Sequence, residues 1–171
     1  MTNEALKLYK LIILYMLNRV DFPMTNSQIS KFILEEGYAT YFRLQQALAE
    51  LAESGFIKEE VTYRRTYYYL TEDGAQTIAF FRNDIPAAIQ KDIDSFLIHH
   101  KYELKDEVSV KADYYRKTNG EYSVCCQVYE HGEPMIELNI AVPSEEEART
   151  AADSWMDKNQ EIYAFVMSKL L

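Results

Sequence analysis

Two small groups of side chains carry the chemistry that this sequence offers. Arg43 and Gln46 lie three residues apart in the stretch from Thr40 to Ser54. Each of these side chain types can make two hydrogen bonds at once to the edge of a base. Arg64 and Arg65 are neighbours in a turn between two strand-forming runs, FIKEEV and TYYYL. Guanidinium groups at such a tip can reach phosphate or enter a narrow minor groove. The chemistry implied is recognition of duplex nucleic acid, by contact and without bond making. Four acids stand close by. Glu50 and Glu53 share the outer face with Arg43 and Gln46, and Glu59 and Glu60 flank the turn. Their repulsion of phosphate weakens affinity and raises its salt sensitivity.

Catalytic and metal signatures are absent from the sequence. There is no glycine-rich phosphate loop, no Gly-x-Ser-x-Gly elbow and no zinc-protease motif. His99, His100, His131, Cys125 and Cys126 show neither Cys-x-x-Cys nor His-x-x-x-His spacing. No metal, no cofactor and no catalytic residue is expected. Cys125 and Cys126 are adjacent, and on a strand they point to opposite faces, so two reduced thiols are expected. The 14 tyrosines, with runs at Tyr67–Tyr69 and Tyr114-Tyr115, suit strand packing with a wet hydroxyl end. A ligand pocket in the second half is the competing reading.

The composition bounds the rest. The chain has 171 residues, 48% of them hydrophobic, which is enough for a proper core. No apolar run approaches the roughly 20 residues of a membrane span. The longest, LIILYML at 11–17, is bounded by Lys10 and by Asn18-Arg19. The opening MTNEALKLYK carries an early acid and no small-residue cleavage site, so a cytoplasmic protein is expected. The net charge of −9 opposes an approach to phosphate. It is unevenly spread: residues 1–85 hold 9 Lys and Arg against 11 Asp and Glu, and residues 86–171 hold 9 against 16.

The elements that would position these groups follow from periodicity. Residues 4–19 have an apolar arc so wide that the helix must be largely buried. Thr25 with Gln28 resembles a capping box, predicting a helix to Glu36 that Gly37 stops. After the short link Gly37-Tyr38-Ala39, Thr40 is an N-cap for the next helix. In that helix Leu44, Leu48 and Leu51 form the apolar stripe, with Tyr41 at its start. Phe42 falls outside the stripe, but a shift of one position buries it, and burial is the expectation. Phe56, Val61, Tyr67 and Tyr69 read as core or strand positions of the hairpin. Thr71 caps a further helix, and another runs from Pro86 to about His100.

From Lys105 the period becomes two. Three alternating runs, 108–115, 122–129 and 136–142, are joined by Asn119-Gly120 and His131-Gly132. They predict an antiparallel meander with one apolar face. Ser144 and Glu147 then open a long helix to cover that face, with Ala148, Ala151, Ala152, Trp155, Ile162, Phe165, Val166 and Leu170 at helical spacing.

The strings TNSQISKFI, YFRLQQALAELAESGFIKEE and TYYYLTEDG resemble the winged-helix superfamily of bacterial transcriptional regulators. The whole pattern, with ADYY and VPSEEEA further on, resembles an uncharacterised bacterial domain-of-unknown-function family with an N-terminal winged helix. The first resemblance implies that Thr40, Tyr41, Arg43 and Gln46 face the groove and that Arg64 and Arg65 are wing contacts. The second implies architecture and no activity.

The expected fold is α+β: an N-terminal winged helix-turn-helix with additional helices over residues 1–103, and over 104–171 a three-stranded antiparallel sheet covered by a long helix. The expected function is that of a DNA-binding transcriptional regulator, not an enzyme. It would act on duplex DNA as a homodimer, with the C-terminal half dimerising or sensing a small-molecule effector. The alternative is a protein–protein interaction module whose winged helix does not bind DNA.

Overall fold

A run of apolar side chains that covers every face of a helix must be enclosed on every face. Asn3–Asn18 (α1) ends in such a run: Leu11 through Leu17 are all buried, while Asn3, Glu4 and Lys7 in its first half stay exposed. The structure, a computed structural model, describes residues 3–171. These are divided between two compact units: one of residues up to Val61 together with Arg65–Lys105, the other of Thr62–Arg64 and Asp106–Leu171.

In the first unit α1 is followed by a two-residue strand, Met24–Thr25 (β1), and by Asn26–Glu36 (α2). The predicted capping box is complete. Thr25 Oγ1 accepts from the Gln28 N–H, and Gln28 Oε1 accepts from the Thr25 N–H. Gly37, at φ 72°, ends α2 in the left-handed conformation that costs a glycine nothing. Tyr41–Glu53 (α3) follows, then the hairpin strands Ile57–Val61 (β2) and Thr66–Leu70 (β3). The sheet is antiparallel in the order β1-β3-β2, with Met24 opposite Tyr68 and Ile57 opposite Leu70. Nothing in the sequence pattern marked β1, because two residues are too short to show a period.

Thr71 caps Glu72–Phe81 (α4), its hydroxyl accepting from the Gly74 N–H. A single 3-10 turn, Arg82–Asp84, leads to Pro86 and to Ala87–Ser109 (α5). That helix was expected to end near His100 and runs nine residues further. Leu104 and Val108 continue its buried side, four residues apart. Val108 also alternates with Val110 and Ala112, so the same residue satisfied both periods, and the strand begins only at Val110.

The second unit holds Val110–Arg116 (β4), Tyr122–Glu130 (β5) and Glu133–Val142 (β6), antiparallel in that order. Ala112 lies opposite Cys126, and Cys126 opposite Leu138. Glu145–Leu170 (α6) packs on this sheet, capped by Ser144. The core is Ala112, Val124 and Cys126 from the strands with Ala148, Ala152 and Trp155 from the helix. The two alanines let the helix backbone come close, and Trp155 fills the remaining width. Its indole N–H donates to the Gln127 carbonyl at 3.1 Å. The end of α6 departs from expectation: Phe165 and Leu170, placed on its apolar stripe, are exposed. Among the described residues no helix is long and apolar enough to cross a membrane.

Candidate nucleic-acid interface

Helix α3 is fixed on two sides before its outer face is considered. Leu44, Ala47, Leu48 and Leu51 are buried in the core of the first unit. Ala47 completes the stripe that the leucines began. A polar network ties the adjacent side to α2 and β3. Asn26 Nδ2 donates to Gln45 Oε1 at 2.7 Å and to the Tyr68 hydroxyl at 3.1 Å. Gln45 Nε2 donates to Asn26 Oδ1 at 3.0 Å, and the Ser30 hydroxyl donates to that same oxygen at 2.9 Å. Paired amides of this kind set the rotation of one helix against another, because a turn of either leaves a polar group unsatisfied.

The face left over carries the expected contact residues. Tyr41 is 60% exposed and Phe42 73%. The exposure of Phe42 corrects the expectation of burial, and that of Tyr41 corrects its place at the start of the apolar stripe while agreeing with the outward position that the winged-helix resemblance implies. Two positions on a helix are about 200° apart, so with Leu44 buried Phe42 must point away from the core. The Thr40 hydroxyl accepts from the Arg43 N–H at 3.3 Å, so it caps the helix that it begins. Arg43 donates to Gln46 Oε1 at 3.1 Å, and its guanidinium carbon lies 5.9 Å from the Phe42 ring centre. Thr40, Tyr41, Arg43 and Gln46 therefore stand together at one end of α3.

One of the nearby acids is neutralised. Lys10 Nζ lies 3.1 Å from Glu50 Oε1, and this bond holds the Glu50 carboxyl below its ordinary range. The first helix thus supplies a cation to α3, a pairing across 40 residues that no local pattern announces. Glu53 remains exposed.

The hairpin tip is built differently from expectation. Tyr63, the residue before Arg64 in the turn, is its anchor. Its backbone N–H donates to Asp113 Oδ1 at 3.0 Å, its hydroxyl donates to Asp153, and its ring centre lies 5.2 Å from that of Tyr114. Burial and the Asp153 carboxylate push its phenol up to about 12. Arg64 lies 3.5 Å from the same Asp153, both side chains about half exposed. These residues all belong to the second unit. Arg65 belongs to the first, where its guanidinium donates to the Tyr67 hydroxyl at 3.5 Å. Sequence reasoning missed Tyr63, Asp113 and Asp153 because their separations, 50 and 90 residues, leave no trace in a local window.

Other candidate sites are less organised. His99 Nδ1 lies 2.7 Å from its own helix at the Ser95 carbonyl, and among the described residues no three His, Cys, Asp or Glu side chains are grouped to hold a metal ion. An open recess in the second unit is lined by Ser144, Glu146, Glu147, Thr150 and Ala151, with no tyrosine among them.

A family signature matches residues 9–170, nearly the whole chain, and the protein belongs to that family: DUF4364, a domain of unknown function. Nothing among curated proteins matches it, and no solved structure does.

Proposed function

We propose that this protein is a cytoplasmic DNA-binding regulator that reads duplex DNA through a winged helix-turn-helix, with α3 as the recognition helix, and that it works as a homodimer through its C-terminal unit. The observation that carries the reading is the state of α3. Its inner side is locked by leucines and by the Asn26–Gln45 pair, while Arg43 and Gln46 stand unburied by any core beside a neutralised Glu50. The helix order, the sheet order β1-β3-β2 and the hairpin after α3 support the winged-helix assignment. Two-fold symmetry would present two copies of α3 to successive turns of the groove.

Fluorescence anisotropy with duplex fragments from around the protein's own gene tests this, at low and at near-physiological salt. Arg43→Ala should cost about 1–3 kcal/mol on the correct sequence and far less on an unrelated one. Arg64→Ala together with Arg65→Ala should weaken all duplexes alike and flatten the salt dependence. No binding by folded protein at low salt would sink the DNA reading.

A second reading has its own observation. Tyr41 and Phe42 expose two large rings side by side at the start of α3, and aromatic anchors are enriched at protein interfaces. Under it, Phe42→Ala abolishes capture of a protein partner, and duplex DNA never competes.

A further inference from the structure

Strand β6 forms one edge of the second unit's sheet. It pairs with β5 along one side, and among the described residues no strand pairs with the other. Its even-numbered residues lie on the face that α6 covers, yet the buried helix residues group with β4 and β5. Ile136, Leu138 and Val142 are left half-buried, and Ile140 is 45% exposed. Proteins normally blunt such an edge with lysine, proline, a bulge or an inward charge. Within β6 the one proline, Pro134, and the bulge at Val128/Tyr129 lie at the same end, Pro143 follows the strand at the other, and from Met135 to Val142 between them there is no Lys, Arg or Pro.

Deepening the homodimer part of the reading above, on which this rests, we propose that β6 pairs with β6 of a second copy, antiparallel about a two-fold axis through Leu138, joining two three-stranded sheets into one of six strands. The strand's own charges select this occupant and this register. Its ionised residues are Glu133 and Glu137. With the axis at Leu138, Glu137 faces Asn139 of the second copy, Ile136 faces Ile140, and Leu138 faces itself. No carboxylate lies directly opposite another, the two Glu137 being only diagonal neighbours, and the apolar residues of both strands stay on one face. Within one chain Glu137 already accepts from Gln127 at 2.8 Å and from the Asn139 amide at 3.5 Å, so amide donors are what this carboxylate takes. Moving the axis to Glu137 sets carboxylate against carboxylate. Moving it to Asn139 places Glu137 opposite Ala141, which donates nothing from its side chain.

Sedimentation of the full chain without DNA tests the pairing, so failure of DNA binding leaves it standing. The expected result is a dimer. Ile140→Lys changes an exposed residue, and with an unchanged circular dichroism spectrum it should give monomer. Asn139→Glu should weaken association by about tenfold or more, since each 1.4 kcal/mol is a factor of ten. Leu138→Cys should form a covalent dimer under a short thiol cross-linker, and Ala141→Cys, far from its own copy in this register, should not. A monomer at every concentration would overturn the proposal. So would a dimer that survives both Ile140→Lys and Asn139→Glu.

Discussion

Gly74 shows how much one missing methyl group can decide. A Cβ there would run into the Phe56 carbonyl oxygen and sit 2.8 Å from Leu70 Cδ1. The backbone of α4 approaches the hairpin at a distance that only glycine permits. Gly74→Ala should therefore destabilise the protein by about 1–3 kcal/mol, the usual cost of overpacking, read as a lower midpoint in urea with an unchanged slope. The two thiols make a second residue-scale case. Burial pushes the Cys126 thiol up to about 11, and burial together with Glu137 and Asp113 raises Cys125. Thiolate is the reactive form. At pH 8 a thiol reagent should label Cys125 slowly and Cys126 only after denaturation, while rapid labelling of Cys126 in folded protein would contradict this packing.

At the scale of elements, the tip of the β2–β3 hairpin gives a prediction with a definite sign. Tyr63 ionises near 10 when unfolded and about 12 when folded. Its contribution to stability is full below pH 10 and is lost as pH rises toward 12. Tyr63→Phe should lower stability at pH 8 by about 1 kcal/mol through the lost hydrogen bond. Between pH 8 and pH 11 the variant should then lose less than the parent, measured as the difference between paired thermal melts. Equal losses would mean that Asp153 does not hold the phenol.

What could be read in advance divides along the same line of range. The caps at Thr25, Thr40, Thr71 and Ser144 are contacts over three residues, and a sequence displays them directly. The leucine stripe of α3 and the turns at Asn119 and His131 were legible for the same reason. The end of α5 was not, because Val108 fits a helical spacing from Leu104 and an alternation into β4 equally well. At Phe42 helical phase overrides hydrophobicity: two positions before the buried Leu44, the ring faces outward. Of the candidate interface, the grouping of Arg43 with Gln46 was visible. The Lys10–Glu50 pair and the Tyr63 anchor join distant segments, and only folding brings them together.

For the whole molecule, net charge sets what kind of binding is available. At −9 with a pI near 4.9 the chain as a whole repels a polyanion. Non-specific affinity, which comes from phosphate neutralisation, should be negligible at physiological salt, so specific contacts must carry the proposed reading. Glu53→Gln with Glu59→Gln should raise affinity for unrelated duplexes several-fold at low salt and change sequence preference little. Anisotropy against a specific and a scrambled duplex measures both at once. A gain confined to the specific duplex would mean that these carboxylates touch bases.

The grouping of Thr62–Arg64 with Asp106–Leu171 has a consequence for how the chain is made. Tyr63 leaves the ribosome 50 residues before Asp113 and 90 before Asp153. At ordinary translation speed that is a wait on the order of ten seconds. Throughout it the two hairpin strands can already pair while their tip lacks the carboxylates it will bind. The later unit is thus completed on a residue delivered early. A recombinant fragment started at Asp106 would contain every strand and helix of that unit, yet leave Asp113 and Asp153 without the tyrosine that bridges them.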